Sequence, residues 1–90
     1  MPSLPDRQRA VLTLDTSGLA CPLPVLKARK ALLQMPAGER LELLATDPLA
    51  AIDVPNFCRE AGHHLVDSDA RGPLLRFMIE RGNGGSGGAG

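Results

Sequence analysis

Leucine, valine and alanine recur along this 90-residue chain in two rhythms, one of period two and one of period three to four, and the switches between them predict six elements. The run AVLTLD (Ala10 to Asp15) alternates, with Leu12 and Leu14 on one face and Val11 and Thr13 on the other, as a strand with one buried face should. After a turn at Thr16-Ser17-Gly18, the stretch from Pro22 to Met35 sets Val25, Ala28, Leu32 and Met35 on one stripe, with Lys27, Lys30 and Gln34 opposite. That spacing predicts a helix of about nine to twelve residues, closed by Pro36-Ala37-Gly38.

RLELLAT (Arg40 to Thr46) alternates again, Leu41, Leu43 and Ala45 against Glu42, Leu44 and Thr46, and is the second strand. Asp47-Pro48 reads as a cap followed by proline at the first helical position. The second helix then carries Ala51, Val54, Cys58 and Ala61 on its apolar stripe and ends at Gly62. Pro55 either kinks it or lets Asp53 recap it, so that the regular part begins at Pro55. His63 to Asp69 and Pro73 to Arg81 are strands three and four, joined at Ala70-Arg71-Gly72, with Leu75, Phe77 and Ile79 sharing a face.

The order β-α-β-α-β-β predicts an α/β two-layer sandwich, because right-handed crossovers of this length lay both helices on the same face of a small sheet. Its outer sheet face would carry Thr13, Glu42, Arg76 and Glu80 beside Val11, Leu44, Leu74 and Met78. Residues 1–9, polar and proline-bearing, are expected to be a flexible lead-in, residues 10–81 a single domain, and the glycine-rich residues 82–90 a flexible tail.

Composition narrows the function. With 10 basic and 10 acidic residues the net charge is zero, and 2 phenylalanines with no tyrosine or tryptophan leave no aromatic platform for stacked bases. Nucleic acid and anionic membrane are therefore not expected as partners. The N-terminal MPSLPDRQRA has no apolar stretch after its charges, so the cytoplasm is the expected compartment, and both cysteines are expected to be free thiols there. No metal or cofactor is expected: His63 and His64 have no cysteine or carboxylate at ligand spacing, and no glycine-rich loop with Lys-Ser/Thr is present.

The candidate chemistry is the thiol in SGLACPLP. Cys21 falls at the predicted N-cap or first position of the first helix, where unpaired N–H groups and the helix dipole favour a thiolate. Pro22 and Pro24 suit a first turn and stiffen the mount. Lys27, Arg29 and Lys30 are candidate docking charges, although solvated helix charges are the simpler reading of them. Cys58, on an apolar stripe, reads as a packed core thiol. With no Cys-x-x-Cys, a local dithiol cycle at Cys21 is excluded.

Cys-Pro-Leu-Pro after a strand and Ser-Gly-Leu-Ala, then LLATDP, IDVPNFCREAGHHL and a final hairpin, resemble the TusA (SirA-like) family of small sulfur carriers, across Leu12 to Ile79. The resemblance implies a mixed four-stranded sheet, a persulfide carried on Cys21, and matching motif positions at Gly18 and Asp47-Pro48. His64 departs from it, since relatives often have an acidic residue there. The implied partners are a cysteine desulfurase or other sulfane-sulfur donor protein and a downstream acceptor protein, with the carrier a monomer. Transfer-RNA thiolation, molybdenum-cofactor assembly and sulfur oxidation would all use the same chemistry. Two other readings compete: a non-catalytic interaction or regulatory module using the outer sheet face, which would depend on Leu44 or Met78, and RNA binding by analogy of fold, against which charge and aromatic content both count.

Overall fold

The structure, a computed structural model, describes residues 11–82. Strands β1 (Val11–Thr16), β2 (Arg40–Ala45), β3 (His64–Arg71) and β4 (Leu74–Glu80) and helices α1 (Leu23–Leu33) and α2 (Ala50–Ala61) follow in the order β1-α1-β2-α2-β3-β4. They build the α/β two-layer sandwich that the patterning predicts. The sheet runs β1-β2-β4-β3, with β1 parallel to β2 and the other pairs antiparallel, so it is mixed and four-stranded.

Alternation determines which face is covered. Leu41, Leu43 and Ala45 of β2 and Phe77 and Ile79 of β4 are buried, and they meet Ala28 and Leu32 of α1 and Ala50, Val54 and Cys58 of α2. Each large side chain among them stabilises the fold by about 1.5–3 kcal/mol relative to exposure. On the other face, cross-strand neighbours Thr13 and Glu42 bond to each other at 3.0 Å, and Glu42 accepts from Arg76 Nε at 2.7 Å. Arg76 also reaches Asp69 at 3.0 Å and Asp67 at 3.5 Å. The outer face is therefore centred on an ion network, with Leu44, Leu74 and Met78 half-buried around it.

Three element boundaries differ from expectation. The regular part of α2 does not begin at Pro55: the helix runs on from Ala50 with the proline inside it, where one backbone N–H is forgone. Strand β3 begins at His64, because the His63 N–H is turned back to the Cys58 carbonyl at 2.9 Å in the closing turn of α2. The β3–β4 connection is the tighter Gly72-Pro73 pair, since Arg71 lies opposite Leu74.

The domain also reaches further than composition implies. Gly82, first residue of the presumed tail, is buried, and its N–H donates to His63 Nδ1 at 3.0 Å. A Cβ at Gly82 would stand 1.9 Å from the Gly62 carbonyl oxygen, so only glycine lets these two backbones approach. The other residues read as lead-in (1–9) and tail (83–90), together with Ala10 of the first strand, lie outside the described residues.

Candidate functional site

The site lies where β1 hands over to α1. Thr16 closes β1 with its hydroxyl on the Leu44 carbonyl, and the Leu19 N–H returns to the Thr16 carbonyl at 3.1 Å. Gly18 occupies the third position of this turn at φ 84°, a conformation that other residues adopt only under strain. Its N–H is held by Thr46 Oγ1 at 2.8 Å. The turn is thus pinned to the end of the neighbouring strand.

Cys21 stands one residue further from α1 than the sequence implies. Pro22 is the N-cap and Leu23 the first helical residue, while Pro24 occupies the first turn and is buried. The Cys21–Pro22 peptide is cis. No side chain caps α1; the Leu23 N–H donates to the Ala20 carbonyl at 2.9 Å, and Pro24 has no N–H to offer. The helix N-terminus therefore holds few of the donors that would stabilise an anion at the sulfur.

What faces the thiol instead comes from the beginning of α2. Asp47 accepts the Cys21 N–H on Oδ2 and the Leu49 N–H on Oδ1, each at 2.9 Å, tying the motif loop to the turn that leads into the helix. These two backbone bonds hold the Asp47 carboxyl below the usual carboxylate range. Asp53, half-buried one turn into α2, adds a second carboxyl on the same side. Burial first, then the neighbouring Asp53 and Asp47 carboxylates push the Cys21 thiol up to about 11. This runs against the expected thiolate: a helix start alone would favour the anion, but burial first and two carboxylates after it favour the thiol.

The remaining candidates separate cleanly. Cys58 is 2% exposed in the core, and burial alone pushes its thiol up to about 11. Lys27, Arg29 and Lys30 are exposed on α1, and among the described residues none is ion-paired. Arg29 lines a groove of about 350 Å³ between the helices together with Pro22, Leu26, Asp53 and Phe57. His63 points inward against Phe57, their rings 5.6 Å apart, and His64 points out. Among the described residues no cluster of His, Cys, Asp and Glu could hold a metal, and no helix is long and apolar enough to cross a membrane.

Asp47 and Asp53 are the residues that sequence reasoning missed. Asp47 does not cap α2, whose N-cap is Leu49, and Asp53 does not recap it; the signals in the sequence are the Asp47-Pro48 match to the family and a pair of acids at a helix start.

Fold and site together define a small α/β carrier-type domain built around one accessible thiol. The family model described as "Sulfurtransferase TusA" matches residues 12–81, and the chain belongs to this TusA family of sulfur carriers. It is 41% identical over 68 residues to the "Sulfur carrier protein TusA" of Allochromatium vinosum, covering 76% of this chain and 90% of that one. A protein of Neisseria meningitidis serogroup B is 46% identical over 68 residues, covering 76% of this chain and 92% of its own length. The crystal structure of a SirA-like protein from Desulfitobacterium hafniense shares the fold, with TM-score 0.71 over 82% of this chain and all of that one, at 22% identity.

Proposed function

We propose that this protein accepts sulfane sulfur as a persulfide on Cys21 and relays it to a partner protein in the cytoplasm. In the first step Cys21 sulfur attacks the outer sulfur of a donor persulfide; a new S–S bond forms, the donor's S–S bond breaks, and the donor leaves as a thiol carrying the proton that Cys21 gives up. In the second, an acceptor thiol attacks the outer sulfur on Cys21 and the carrier returns to its thiol. No electrons are gained or lost overall. Pro22, Pro24 and Gly18 hold the sulfur's direction, while Lys27, Arg29 and Lys30 are available to docking partners.

The observation that carries this reading is the separation of the two thiols. Cys21 is partly accessible at the end of the sandwich, whereas Cys58 is sealed in the core. A second accessible thiol beside the persulfide would attack it and release sulfide, discharging the carrier. The test is to incubate the protein with a cysteine desulfurase and cysteine and weigh it intact. One added sulfur on the wild type and none on Cys21→Ser is expected; equal loading of the two would refute the assignment. A cysteine desulfurase is the donor class to try first, and tRNA thiolation, molybdenum-cofactor assembly and sulfur oxidation are the destinations to screen.

A further inference from the structure

Two consecutive side chains just past the end of β2 reach across to the loop that carries the thiol. That loop, Ser17 to Pro22, joins β1 to α1. Several of its hydrogen bonds are local: the Ser17 N–H donates to Asp15 Oδ1 at 2.9 Å, the Leu19 N–H to the Thr16 carbonyl at 3.1 Å, and the Ala20 carbonyl accepts the Leu23 N–H at 2.9 Å. Bonds of this kind shape a turn without fixing where it stands on the sandwich. Two others fix its place. The Gly18 N–H donates to Thr46 Oγ1 at 2.8 Å and the Cys21 N–H to Asp47 Oδ2 at 2.9 Å, across 28 and 26 residues of chain.

The dipeptide that supplies both acceptors is itself held. Ala45 before it and Ala50 after it are fully buried. Asp47 Oδ1 takes the Leu49 N–H, which turns the other oxygen toward Cys21. Thr46 and Asp47 therefore grip the two ends of Gly18-Leu19-Ala20-Cys21, and beyond Cys21 the chain is anchored again by buried Pro24. With its backbone fixed on both sides, Cys21 keeps a single side-chain torsion, and its sulfur takes one of about three staggered positions. Exchange at a persulfide needs the attacking sulfur in line with the S–S bond that breaks, so its direction decides the rate once a donor has docked.

We propose, resting on the carrier reading above, that Thr46 is a positioning residue for sulfur transfer: its hydroxyl oxygen, together with the Asp47 carboxylate, clamps the loop so that Cys21 presents its sulfur to a docked donor in one direction. The step served is Cys21–SH plus R–S–SH giving Cys21–S–SH plus R–SH, in which Thr46 makes and breaks no covalent bond. Gly18 is exposed, so an amide released from Thr46 is met by water. The fold then loses little while the loop gains freedom. A purely structural threonine would behave in the opposite way, losing stability and leaving the rate of the docked step unchanged.

Thr46→Val keeps the side chain's shape and removes the acceptor, whereas Thr46→Ser keeps the acceptor. Loading of each is followed by intact mass in single turnovers from a cysteine desulfurase charged with cysteine, over a series of desulfurase concentrations. In Thr46→Val the limiting rate is expected to fall about tenfold or more, with the half-saturating concentration and thermal unfolding close to wild type. Thr46→Ser should restore the rate. Iodoacetamide, which approaches from any side, should alkylate Cys21 no more slowly in either variant. Hydrogen exchange followed by NMR needs no donor: the Gly18 and Cys21 amides should exchange faster in Thr46→Val and not in Thr46→Ser. An unchanged limiting rate in Thr46→Val, a serine variant as slow as the valine one, a loss confined to the half-saturating concentration, or Cys21 exchange at the wild-type rate would each overturn the proposal. So would a Thr46→Val chain that fails to fold, since the role is then structural. A wild type that iodoacetamide alkylates but that neither the desulfurase nor glutathione persulfide loads would instead refute the carrier reading itself.

Discussion

The two ends of the sandwich are both stitched by side chains onto backbone, with opposite chemistry. At the end where α1 and α2 begin, carboxylate and hydroxyl oxygens accept N–H groups: Asp47 takes those of Cys21 and Leu49, and Thr46 takes that of Gly18. At the other end, Arg81 Nε donates to the Leu32 carbonyl at 2.7 Å, its backbone exchanges bonds with Gly38 and Glu39 at 2.8 Å, and Gly82 donates to buried His63. The far end is sealed around glycine and imidazole, so its cost of change is in stability. The thiol end keeps its acids and its leucines at the surface, so its cost of change is in reactivity.

Substitutions at the two ends should therefore fail differently. The largest effect is expected from Cys21→Ser, which should abolish sulfur loading in the intact-mass assay while leaving thermal unfolding close to wild type. Cys58→Ala, by contrast, should still load. At the far end Gly82→Ala forces a methyl into the Gly62 carbonyl and should destabilise by about 1–3 kcal/mol or more in denaturant unfolding, as overpacking does. A loading rate that falls in Gly82→Ala while stability holds would erase the distinction between the ends.

A smaller effect concerns pH. His63 accepts the Gly82 N–H on Nδ1 and is depressed by burial first, then by the charges of Arg81 and His64. The unfolded chain therefore takes up a proton near pH 6.5 that the native state refuses. His63 costs no stability above that pH and removes some as pH falls below it, by at most about 1.4 kcal/mol per pH unit, the slope of a single proton. Asp15, Glu42 and Asp47 are held below the usual carboxylate range, so their contributions persist until pH falls through about 4. Urea titrations between pH 7 and 5 thus isolate His63, and His63→Asn should flatten the curve there. The smallest effect is expected on the outer sheet face, where Leu44→Thr and Met78→Thr should leave Cys21 loading unchanged. A loss of loading in either would bring that face back as the working surface.

Much of the fold was legible because it is written locally. Leu41, Leu43 and Ala45 alternate within one strand, and Ala28 and Leu32 repeat within one helix, so neighbours in sequence report which side is covered. Cys21 stands out as a candidate for the same reason, set off by its prolines. The electrostatics of the thiol were not. A helix start is visible in a few consecutive residues, but what outweighs it is burial in the finished fold and acids at positions 47 and 53, brought there by packing that periodicity describes without placing. Gly82 was misjudged because glycine-rich composition describes an average, while the contact of Gly82 with Gly62 and His63 is a property of one position.

The bond from Cys21 to Asp47 spans 26 residues. A ribosome therefore finishes the motif well before it has made the acid that clamps it, and α2 with Asp53 comes later still. Until then the nascent segment carries the cysteine without the carboxylate that fixes its backbone. The restraint on this loop is a property of the longer chain, and one that ends between residues 24 and 47 has the whole Cys-Pro-Leu-Pro motif without the Asp47 bond that holds it.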